Sequence, residues 1–460
     1  MESVALHNLG CKVNSYEMDV MQQMLLDRGY KIVPFDERAD VYIVNTCTVT
    51  NIADRKSRQM IHRARKNNPD AVVVAVGCYV QTAEDAIVQE GVVDLAVGNN
   101  RKKDIVSILE KYLENRKTAD STAEREGTEC SREEGAEDCR KRAVVERIDI
   151  GETKEYEEMR LTRTAGHTRA YIKIQDGCNQ FCSYCMIPYA RGRVRSRAEE
   201  EILREVKGIV EAGYREIVLT GIHISSYGID RGGPELLQLL KKLQKINGLD
   251  RIRLGSLEPR IVTEEFARTI SAMTKICPHF HLSLQSGCDS VLARMNRRYT
   301  TGEYFQTTEI LRKYYRDPAI TTDVITGFPG ETEEEFRMTE EFVRKVSFYE
   351  MHIFKYSRRQ GTRAAAMECQ LTEAEKGRRS GILARAERQM SHAYRTGWLD
   401  REVKVLFEET KEIDGRVYWV GHTPQYIKAA REAGESVDLG NQIVQGTLSG
   451  FLEEDIMLLK

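Results

Sequence analysis

The sequence predicts an α/β protein built from three folded parts, and three observations lead to this prediction. The chain has 460 residues, which is too long for one ordinary core and indicates two to four domains. Short β-branched runs alternate with helical patterns over most of that length. Residues 396–460 then change to the period-two pattern that is typical of a small β-barrel.

The first part, residues 1–113, reads as an α/β domain. Its β-branched runs are bounded by turn residues, which predicts buried parallel strands. They are SVALHNLG, VYIVNT, AVVVAVG and VVDLAVG. The run SYEMDVMQQMLLDRGY carries apolar residues at helical spacing and predicts a helix that ends near Gly29. Strand, helix and strand in this order predict a parallel sheet.

Residues 114–164 are predicted to be a charged and partly disordered linker. In residues 114–142, 16 of 29 side chains are charged, and Val, Ile, Leu, Met and aromatic residues are missing. Such a stretch cannot bury enough apolar surface to become ordered. Its two cysteines, Cys130 and Cys139, are interpreted as solvated residues without a ligand role.

Residues 165–395 repeat strand and helix patterns six times, which predicts an incomplete (βα)6 barrel with a parallel sheet. The predicted strands are AYIKIQDG, EIVLTG, RIRLGS, FHLSLQSG, TTDVITGF and YEMHIFKYS. In such sheets the chemistry collects where the strands end. Residues 396–460 supply the period-two runs REVKVLFEET, GRVYWVGHT and NQIVQGTLSG, which predict a small β-barrel.

Composition limits the location and the chemistry of the chain. The formal net charge is −2, so a surface that binds nucleic acid would have to be a local patch. The N-terminal residues do not resemble a signal peptide, and the longest apolar run is too short for a membrane span. We therefore expect a cytoplasmic protein without membrane contact. In that compartment its eleven cysteines would stay reduced, which favours metal or catalytic roles over disulfides.

Three of these cysteines, Cys178, Cys182 and Cys185, lie within eight residues in the run GCNQFCSYC. Close spacing on a loop lets several thiolates hold one iron–sulfur cluster, and three ligands on a four-iron cluster leave one iron open. A zinc site is an alternative, although structural zinc usually has four protein ligands, and His167 would have to be the fourth. Buried cysteines without a ligand are another alternative, which this polar loop does not favour.

The motif C-x3-C-x2-C comes after the first strand of the predicted barrel and has an aromatic residue, Tyr184, before its last cysteine. In this it resembles the radical S-adenosylmethionine superfamily. The resemblance implies that the open iron binds the amino and carboxylate groups of S-adenosylmethionine. Electron transfer then cleaves the sulfonium to a 5′-deoxyadenosyl radical.

Later strand ends also fit the superfamily. They carry the segments LTGIHISSYG, GSLEP, LSLQSG and TDVITGFPGE, where the superfamily has its cofactor contacts. Each segment alone is more often an ordinary polar loop. Together they imply cofactor contacts by Tyr184, Thr220, Gly221, Glu258, Ser283, Gln285 and Asp323.

A second set of cysteines, Cys11, Cys47 and Cys78, occurs at intervals of 36 and 31 residues in the first domain. Each comes directly after an apolar run, so parallel strands that end together would bring the three sulfurs to one edge of the sheet. Three unrelated buried cysteines are the alternative. The surrounding runs NLGCKVNSYE, NTCTVT and VGCYVQ resemble the N-terminal domain of the methylthiotransferases.

This resemblance covers nearly the whole chain except the linker, and the C-terminal barrel resembles the TRAM type. It implies two 4Fe-4S clusters, on Cys11, Cys47 and Cys78 and on Cys178, Cys182 and Cys185, and assigns these six cysteines to catalysis. One S-adenosylmethionine would provide the methyl group for a sulfur on the first cluster. Another would provide the radical that abstracts hydrogen from the substrate.

Within the family, LGCKVNSYE and the long cluster loop are most similar to the branch that acts on N6-threonylcarbamoyladenosine beside the anticodon of tRNA. The sister branch acts on N6-isopentenyladenosine, and a third branch modifies an aspartate of a ribosomal protein. A non-catalytic iron–sulfur protein that binds RNA is an alternative of another class. The implied partners are tRNA and an unidentified electron donor, and we expect a monomer.

Four arginines, Arg191, Arg193, Arg195 and Arg197, come after the cluster loop. If the backbone is extended, period two places them on one face, where they could bind substrate through phosphates or through the carboxylate of the modified base. A solvated edge strand is the alternative. Residues 401–460, in contrast, carry 7 Lys or Arg and 11 Asp or Glu, so the barrel lacks the charge expected of an RNA-binding module.

Overall fold

The structure is a computed structural model that describes residues 2–126, 143–164, 166, 168–434 and 437–460. The chain forms two compact units. The first unit comprises Met1–Ala165, Asp176–Asn179 and Cys185–Arg195. The second unit comprises Gly166–Gln175, Gln180–Tyr184 and Ser196–Lys460. No described helix is both long enough and apolar enough to cross a membrane.

The first unit is built on a parallel sheet of six strands, which confirms the predicted α/β class. In chain order the strands are β1 (Ser3–Asn8), β2 (Lys31–Val33), β3 (Val41–Thr46), β4 (Val72–Gly77), β5 (Leu95–Val97) and β6 (Val144–Glu146). Their spatial order is β2-β1-β3-β4-β5-β6. Every residue of β3 and β4 is buried, as expected for strands that helices cover on both faces.

The helices of this unit are α1 (Lys12–Asp27), α2 (Asn51–Asn67), α3 (Cys78–Thr82), α4 (Glu84–Glu90), α5 (Ile105–Glu126) and α6 (Ile187–Arg191). The predicted linker differs from the structure at both ends. Helix α5 continues through Glu126, and β6 adds residues 144–146 to the sheet because Val144 and Val145 pair with β5. Cys130, Cys139 and His167 lie outside the described residues.

The six predicted barrel strands are β7 (Arg169–Asp176), β9 (Glu216–Gly221), β10 (Arg251–Leu254), β11 (His279–His281), β12 (Ala319–Thr326) and β13 (Glu350–Lys355), and a short β8 (Arg195–Ser196) accompanies them. All of their residues except Asp176 and Arg195 belong to the second unit. They form two sheets, in the orders β10-β9-β7-β8 and β11-β12-β13. Isolated parallel bridges, Ile252 with Ile276 and Leu257 with Leu282, join the two sheets. This curled sheet confirms the predicted partial barrel.

Seven helices cover it: α7 (Glu199–Glu211), α8 (Leu236–Leu243), α9 (Glu264–Ser271), α10 (Asp289–Arg294), α11 (Thr301–Tyr314), α12 (Glu333–Val346) and α13 (Glu373–Thr396). Helices α11 and α12 each begin at a reciprocal capping box, formed by Thr300 with Glu303 and by Thr332 with Glu335. The caps fix where each helix starts after its loop.

The C-terminal part is a closed, mostly antiparallel barrel, as predicted. Its strands are β14 (Glu402–Ile413), β15 (Arg416–His422), β16 (Lys428–Glu432), β17 (Ile443–Phe451) and β18 (Met457–Leu459). It packs against the residues where the strands of the partial barrel begin. There Arg251 donates to the carbonyl oxygens of His422 and Lys404 at 2.9 and 2.8 Å.

We expect Glu335→Gln to destabilise the protein by about 1–3 kcal/mol at pH 7 and by much less near pH 2. Hydrogen bonds from Arg294 and Ser290, and the one from the Thr332 amide, lower the pKa of Glu335 from 4.5 to about 2 despite its burial. A lowered pKa stabilises the fold above pH 4.5, and this contribution is lost as the pH falls towards 2. Urea unfolding at several pH values measures the difference, with the exposed Glu334→Gln as the control.

Candidate active site with two cysteine sets

The first cysteine set lies where three neighbouring strands end. Cys47 comes directly after β3, Cys78 comes directly after β4, and Cys11 comes three residues after the last residue of β1. The three strands are parallel and in register up to these ends, since Asn8 pairs with Asn45 and Thr46 pairs with Gly77. The cysteines are therefore at one edge of the sheet, as the spacing predicted.

Their thiols share one environment. Burial raises the pKa of Cys47 to about 12, and the nearby sulfurs of Cys78 and Cys11 add to the rise. Burial also raises the pKa of Cys11, although part of this residue is exposed to solvent. Thiols with such pKa values are weak free nucleophiles at neutral pH, whereas a bound metal deprotonates its thiol ligands. Cys11 and Cys47 therefore fit metal ligands better than catalytic thiolates.

Gly10 allows the loops that carry Cys11 and Cys47 to lie close together. Gly10 has φ +105°, and a β-carbon at this position would lie 2.9 Å from both the Cβ and the Sγ of Cys47. A side chain there would therefore be strained in its backbone and would displace the Cys47 sulfur. The loop that carries Cys11 can approach Cys47 this closely because residue 10 is glycine.

A buried polar network supports Cys78 from within the first unit. Arg191, the last residue of α6, is 1% exposed. Its Nε donates to the Cys78 Sγ at 3.3 Å, and its two terminal nitrogens donate to Glu17, Asp176 and Asn14 at 2.7 to 3.2 Å. The amide nitrogen of Asn99 lies 3.5 Å from the same sulfur. Cys78 thus faces two N–H donors.

The second cysteine set lies in the loop after β7, which folds back on residues 192–194. The amide of Cys178 donates to the carbonyl oxygen of Gly192 at 3.0 Å. Gly177, with φ +70°, lies so close to this segment that a β-carbon would be 1.8 Å from the carbonyl oxygen of Arg193. Only glycine fits at residue 177, and its turn determines where Cys178 lies.

Cys182 is held within the second unit. The amide of the next residue, Ser183, donates to the carbonyl oxygen of Met295 at 3.0 Å, and the Asn296 side chain donates to that of Phe181 at 2.9 Å. The Nη1 of Arg297 donates to the Cys182 Sγ at 3.3 Å. All three cysteines of this set are partly exposed, as open ligands for a cofactor should be.

The predicted exposed row of arginines does not form. Arg191, Arg195 and Arg197 are at most 1% exposed, and only Arg193 of the four is exposed. The backbone is not extended over the whole run, because residues 187–191 are helical, Gly192 has φ +71°, and only Arg195–Ser196 form a short strand. Arg195 donates to the carbonyl oxygens of Arg191 and Arg193, at 2.9 and 3.1 Å, and Arg197 is ion-paired with Glu205. Three of these side chains therefore stabilise the fold.

The residues expected to contact S-adenosylmethionine lie along the strand ends of the second unit. Thr220 and Gly221 end β9, and Glu258 comes after β10, with its amide bonded to Ser225 Oγ at 2.9 Å. The Tyr184 ring packs edge-on against Phe328, with ring centroids 6.5 Å apart. Each position is at or beyond a strand end, as the sequence predicted.

Three further positions belong to β11 and β12. Ser283 and Gln285 come after β11, and Gln285 has φ +69°, an unusual conformation for a residue with a side chain. Its amide donates to the carbonyl oxygen of Asp323 at 2.8 Å. Asp323 lies inside β12 rather than at its end. Strained backbone of this kind clusters at functional sites.

Several residues around these positions were not predicted from the sequence. Asn14 and Glu17 belong to the run CKVNSYE and come after Cys11 at helical spacing. That periodicity was the signal that could have identified them. Asn99 and Arg297 carry no such signal. Near Asp323, the His281 Nε2 lies 3.2 Å from a carboxylate oxygen. With His352 they are the one set of three potential metal ligands found within 4.8 Å of one another in the described ranges.

Comparison with known proteins matches both parts that carry cysteines. Residues 172–343 match the Radical SAM superfamily, and residues 3–98 match the uncharacterized protein family UPF0004. The chain is 38% identical to the threonylcarbamoyladenosine tRNA methylthiotransferase MtaB of Bacillus subtilis, over 95% of this chain and 92% of that one. It is 37% identical to the protein of the same name from Aquifex aeolicus, over 94% and 98%.

Two other similarities were found, one to a curated protein and one to a solved structure. The chain is 35% identical to the tRNA-2-methylthio-N(6)-dimethylallyladenosine synthase of Moorella thermoacetica, over 88% of this chain and 87% of that one. Among solved structures, it resembles the radical S-adenosylmethionine methyltransferase TsrM from Kitasatospora setae, with a TM-score of 0.53 and 17% identity over 77% and 73% of the two chains. At this identity the likeness shows a shared fold alone.

Proposed function

The chain belongs to the radical S-adenosylmethionine methylthiotransferases, and we propose that its substrate is N6-threonylcarbamoyladenosine beside the anticodon of tRNA. The reaction replaces the hydrogen on C2 of the adenine by a methylthio group. The hydrogen at this carbon would pass to the 5′-deoxyadenosyl radical made from one S-adenosylmethionine, and a C–S bond would form to a methylthio group whose methyl comes from another S-adenosylmethionine. As a radical enzyme it depends on a low-potential electron donor.

Nearly full-length similarity to threonylcarbamoyladenosine enzymes carries this assignment. The dimethylallyladenosine enzymes are similar at slightly lower identity and over less of the chain, so they define the second candidate substrate. The run LGCKVNSYE supports the first candidate. Its Asn14 and Glu17 hold Arg191 against Cys78, so this run also builds the first cysteine site.

We propose that each cysteine set holds one 4Fe-4S cluster. Three thiols at one sheet edge, with raised pKa values at Cys11 and Cys47, suit the first cluster. Three partly exposed thiols in one short loop suit the second. When bound, the second cluster supplies the electron that cleaves S-adenosylmethionine, and the first provides the sulfur chemistry.

The chain's own residues then place the cofactor and the substrate. Glu258 is a fixed acceptor for S-adenosylmethionine, because Arg260 donates to its Oε1 at 2.8 Å and Ser225 bonds its amide. The left-handed backbone of Gln285 presents a further polar side chain near β12. Asp323 acts together with His281, since the two side chains are 3.2 Å apart. Tyr184, Thr220, Gly221 and Ser283 complete the proposed contacts.

The test supplies reconstituted enzyme with S-adenosylmethionine, dithionite and tRNA that carries one modification or the other. We expect the 2-methylthio derivative of threonylcarbamoyladenosine, formed at least about 100-fold faster than that of the dimethylallyl base. Nucleoside mass spectrometry measures both products. Turnover of dimethylallyladenosine tRNA alone would assign the chain to that second substrate. Cleavage of S-adenosylmethionine with neither product would exclude both bases.

Arg193 is the remaining candidate of the four arginines for a contact with tRNA, since it is exposed. We expect Arg193→Ala to weaken tRNA binding. The slope of log Kd against log salt concentration should fall by about the contribution of one phosphate contact. Filter binding at several salt concentrations measures this slope. Arg316→Ala, at another highly exposed position, is the matched control and should leave it unchanged. Equal slopes for Arg193→Ala and the unchanged protein would exclude a phosphate contact at this residue.

A further inference from the structure

In each cysteine set one sulfur accepts a hydrogen bond from an arginine. In the first unit Arg191 donates to Cys78, and in the second unit Arg297 donates to Cys182, both at 3.3 Å. Hydrogen bonds to cluster sulfurs, and the net charge near them, are what a protein uses to set a cluster's reduction potential. The two arginines differ in how their charge is balanced.

The charge of Arg191 is partly balanced by carboxylates. Its guanidinium pairs with Glu17 and Asp176, at 2.8 and 3.1 Å. Two other buried cations share these carboxylates, since Lys102 pairs with Glu17 and Arg195 lies 3.9 Å from Asp176. Arg191 is therefore a hydrogen-bond donor to Cys78 whose own charge has carboxylate partners.

The charge of Arg297 is not neutralised in this way. In the part of the chain that the structure describes, no carboxylate lies within ion-pair distance of its guanidinium. Its Nε donates to the Tyr299 hydroxyl at 3.0 Å, and its guanidinium lies 4.8 Å from the centroid of the Tyr299 ring. These neutral groups hold the side chain in place beside Cys182 without cancelling its charge.

The field of Arg297 also reaches a neighbouring strand end. His223, two residues beyond β9, has its pKa lowered to about 4, by burial first and then by the charges of Arg297 and Arg260. His223 is therefore neutral at physiological pH and adds no positive charge of its own beside Arg297.

We propose that Arg297, which has no carboxylate partner among the described residues, is a positioning residue that makes the cluster on Cys178, Cys182 and Cys185 easier to reduce. A cation and its N–H group draw electron density from the Cys182 thiolate, which favours the state with one more electron. That electron comes from an external low-potential donor and is passed to S-adenosylmethionine. This inference rests on the proposed cluster at these three cysteines.

The experiment uses the full chain with Cys11 and Cys47 replaced by alanine and Cys78 by serine, which keeps an acceptor for Arg191, so that one cluster remains. In this background Arg297→Met removes both the charge and the hydrogen-bond donor. Arg297→Lys keeps the positive charge on a shorter side chain. Arg298→Met is the matched control, because it removes the same charge at the neighbouring position, where the side chain is exposed. Redox titration followed by electron paramagnetic resonance gives each potential, with iron counted beforehand.

We expect Arg297→Met to disfavour cluster reduction about tenfold, a shift of about 59 mV to more negative potential for one electron. Arg297→Lys should fall between it and the parent, and Arg298→Met should match the parent. If Arg297→Met fails to bind iron, Arg297→Gln takes its place. Glutamine removes the charge but keeps an N–H donor, so its potential reports the effect of the charge alone. Unchanged potentials in iron-loaded variants would overturn the role of Arg297. A parent protein that binds no cluster would instead contradict the proposed function.

Discussion

Replacing Cys178, Cys182 and Cys185 together by alanine is expected to halve the iron bound after anaerobic reconstitution and to abolish cleavage of S-adenosylmethionine. The unchanged chain should bind about eight irons, four at each set of three cysteines. These cysteines lie in a loop between β7 and α6 and are partly exposed, so their loss costs little packing. The variant should therefore fold and retain about four irons at the first set.

Iron analysis and chromatographic detection of 5′-deoxyadenosine measure the two effects. Cys369→Ala is the matched control, since this cysteine is exposed and belongs to neither set. It should bind the full complement of iron and cleave the cofactor at the normal rate. A metal content near one zinc per chain with little iron, in the unchanged protein, would refute the cluster assignment and return the loop to a zinc site.

Most of the strands could be predicted from the sequence because buried parallel strands are encoded locally. The run VVVAVG becomes β4 with all of its residues buried, and the period-two run REVKVLFEET becomes most of β14. The edge that carries Cys11, Cys47 and Cys78 could be predicted by the same reasoning, since parallel strands that end together bring their next residues to one edge of the sheet. These predictions needed no information about distant contacts.

The arginines after the cluster loop could not be placed in this way. Their alternation indicates an extended, exposed row, but whether a charge is buried depends on its partners. Arg191 pairs with Glu17, which is 174 residues away in the chain. Arg197 pairs with Glu205 across a turn that leads into α7. Local patterns do not show such partners, and the same holds for Arg297 at Cys182.

Composition alone did not predict the conformation of the first residues of the linker. Residues 114–126 are strongly charged, yet they extend α5, whose first turns are apolar and pack in the first unit. Helix propagation adds one hydrogen bond per residue once the costly first turn exists, so a charged tail can continue a packed helix. The composition shows that this segment has little apolar surface to bury, but the helix before it determines the conformation of residues 114–126.

Replacing Cys11, Cys47 and Cys78 by alanine is expected to remove the methylthio product while cleavage of S-adenosylmethionine remains detectable. The three cysteines lie at the edge of the first sheet, and the loop of Cys178 depends on other contacts, including the bond from its amide to Gly192. The variant should bind about four irons at the second set. Product formation should fall at least about 100-fold, because the sulfur chemistry has lost its ligands.

Cys78 requires a separate control, because its removal leaves the Nε of buried Arg191 without its sulfur acceptor. An unsatisfied buried donor costs about 1–3 kcal/mol, so the triple alanine variant could lose activity through instability. Cys78→Ser keeps an acceptor at this position, and it should preserve the fold while still lacking the product. Thermal unfolding, 5′-deoxyadenosine and nucleoside mass spectrometry separate these effects. If cleavage disappeared in a folded variant that kept its four irons, the two cysteine sets would not have separate roles.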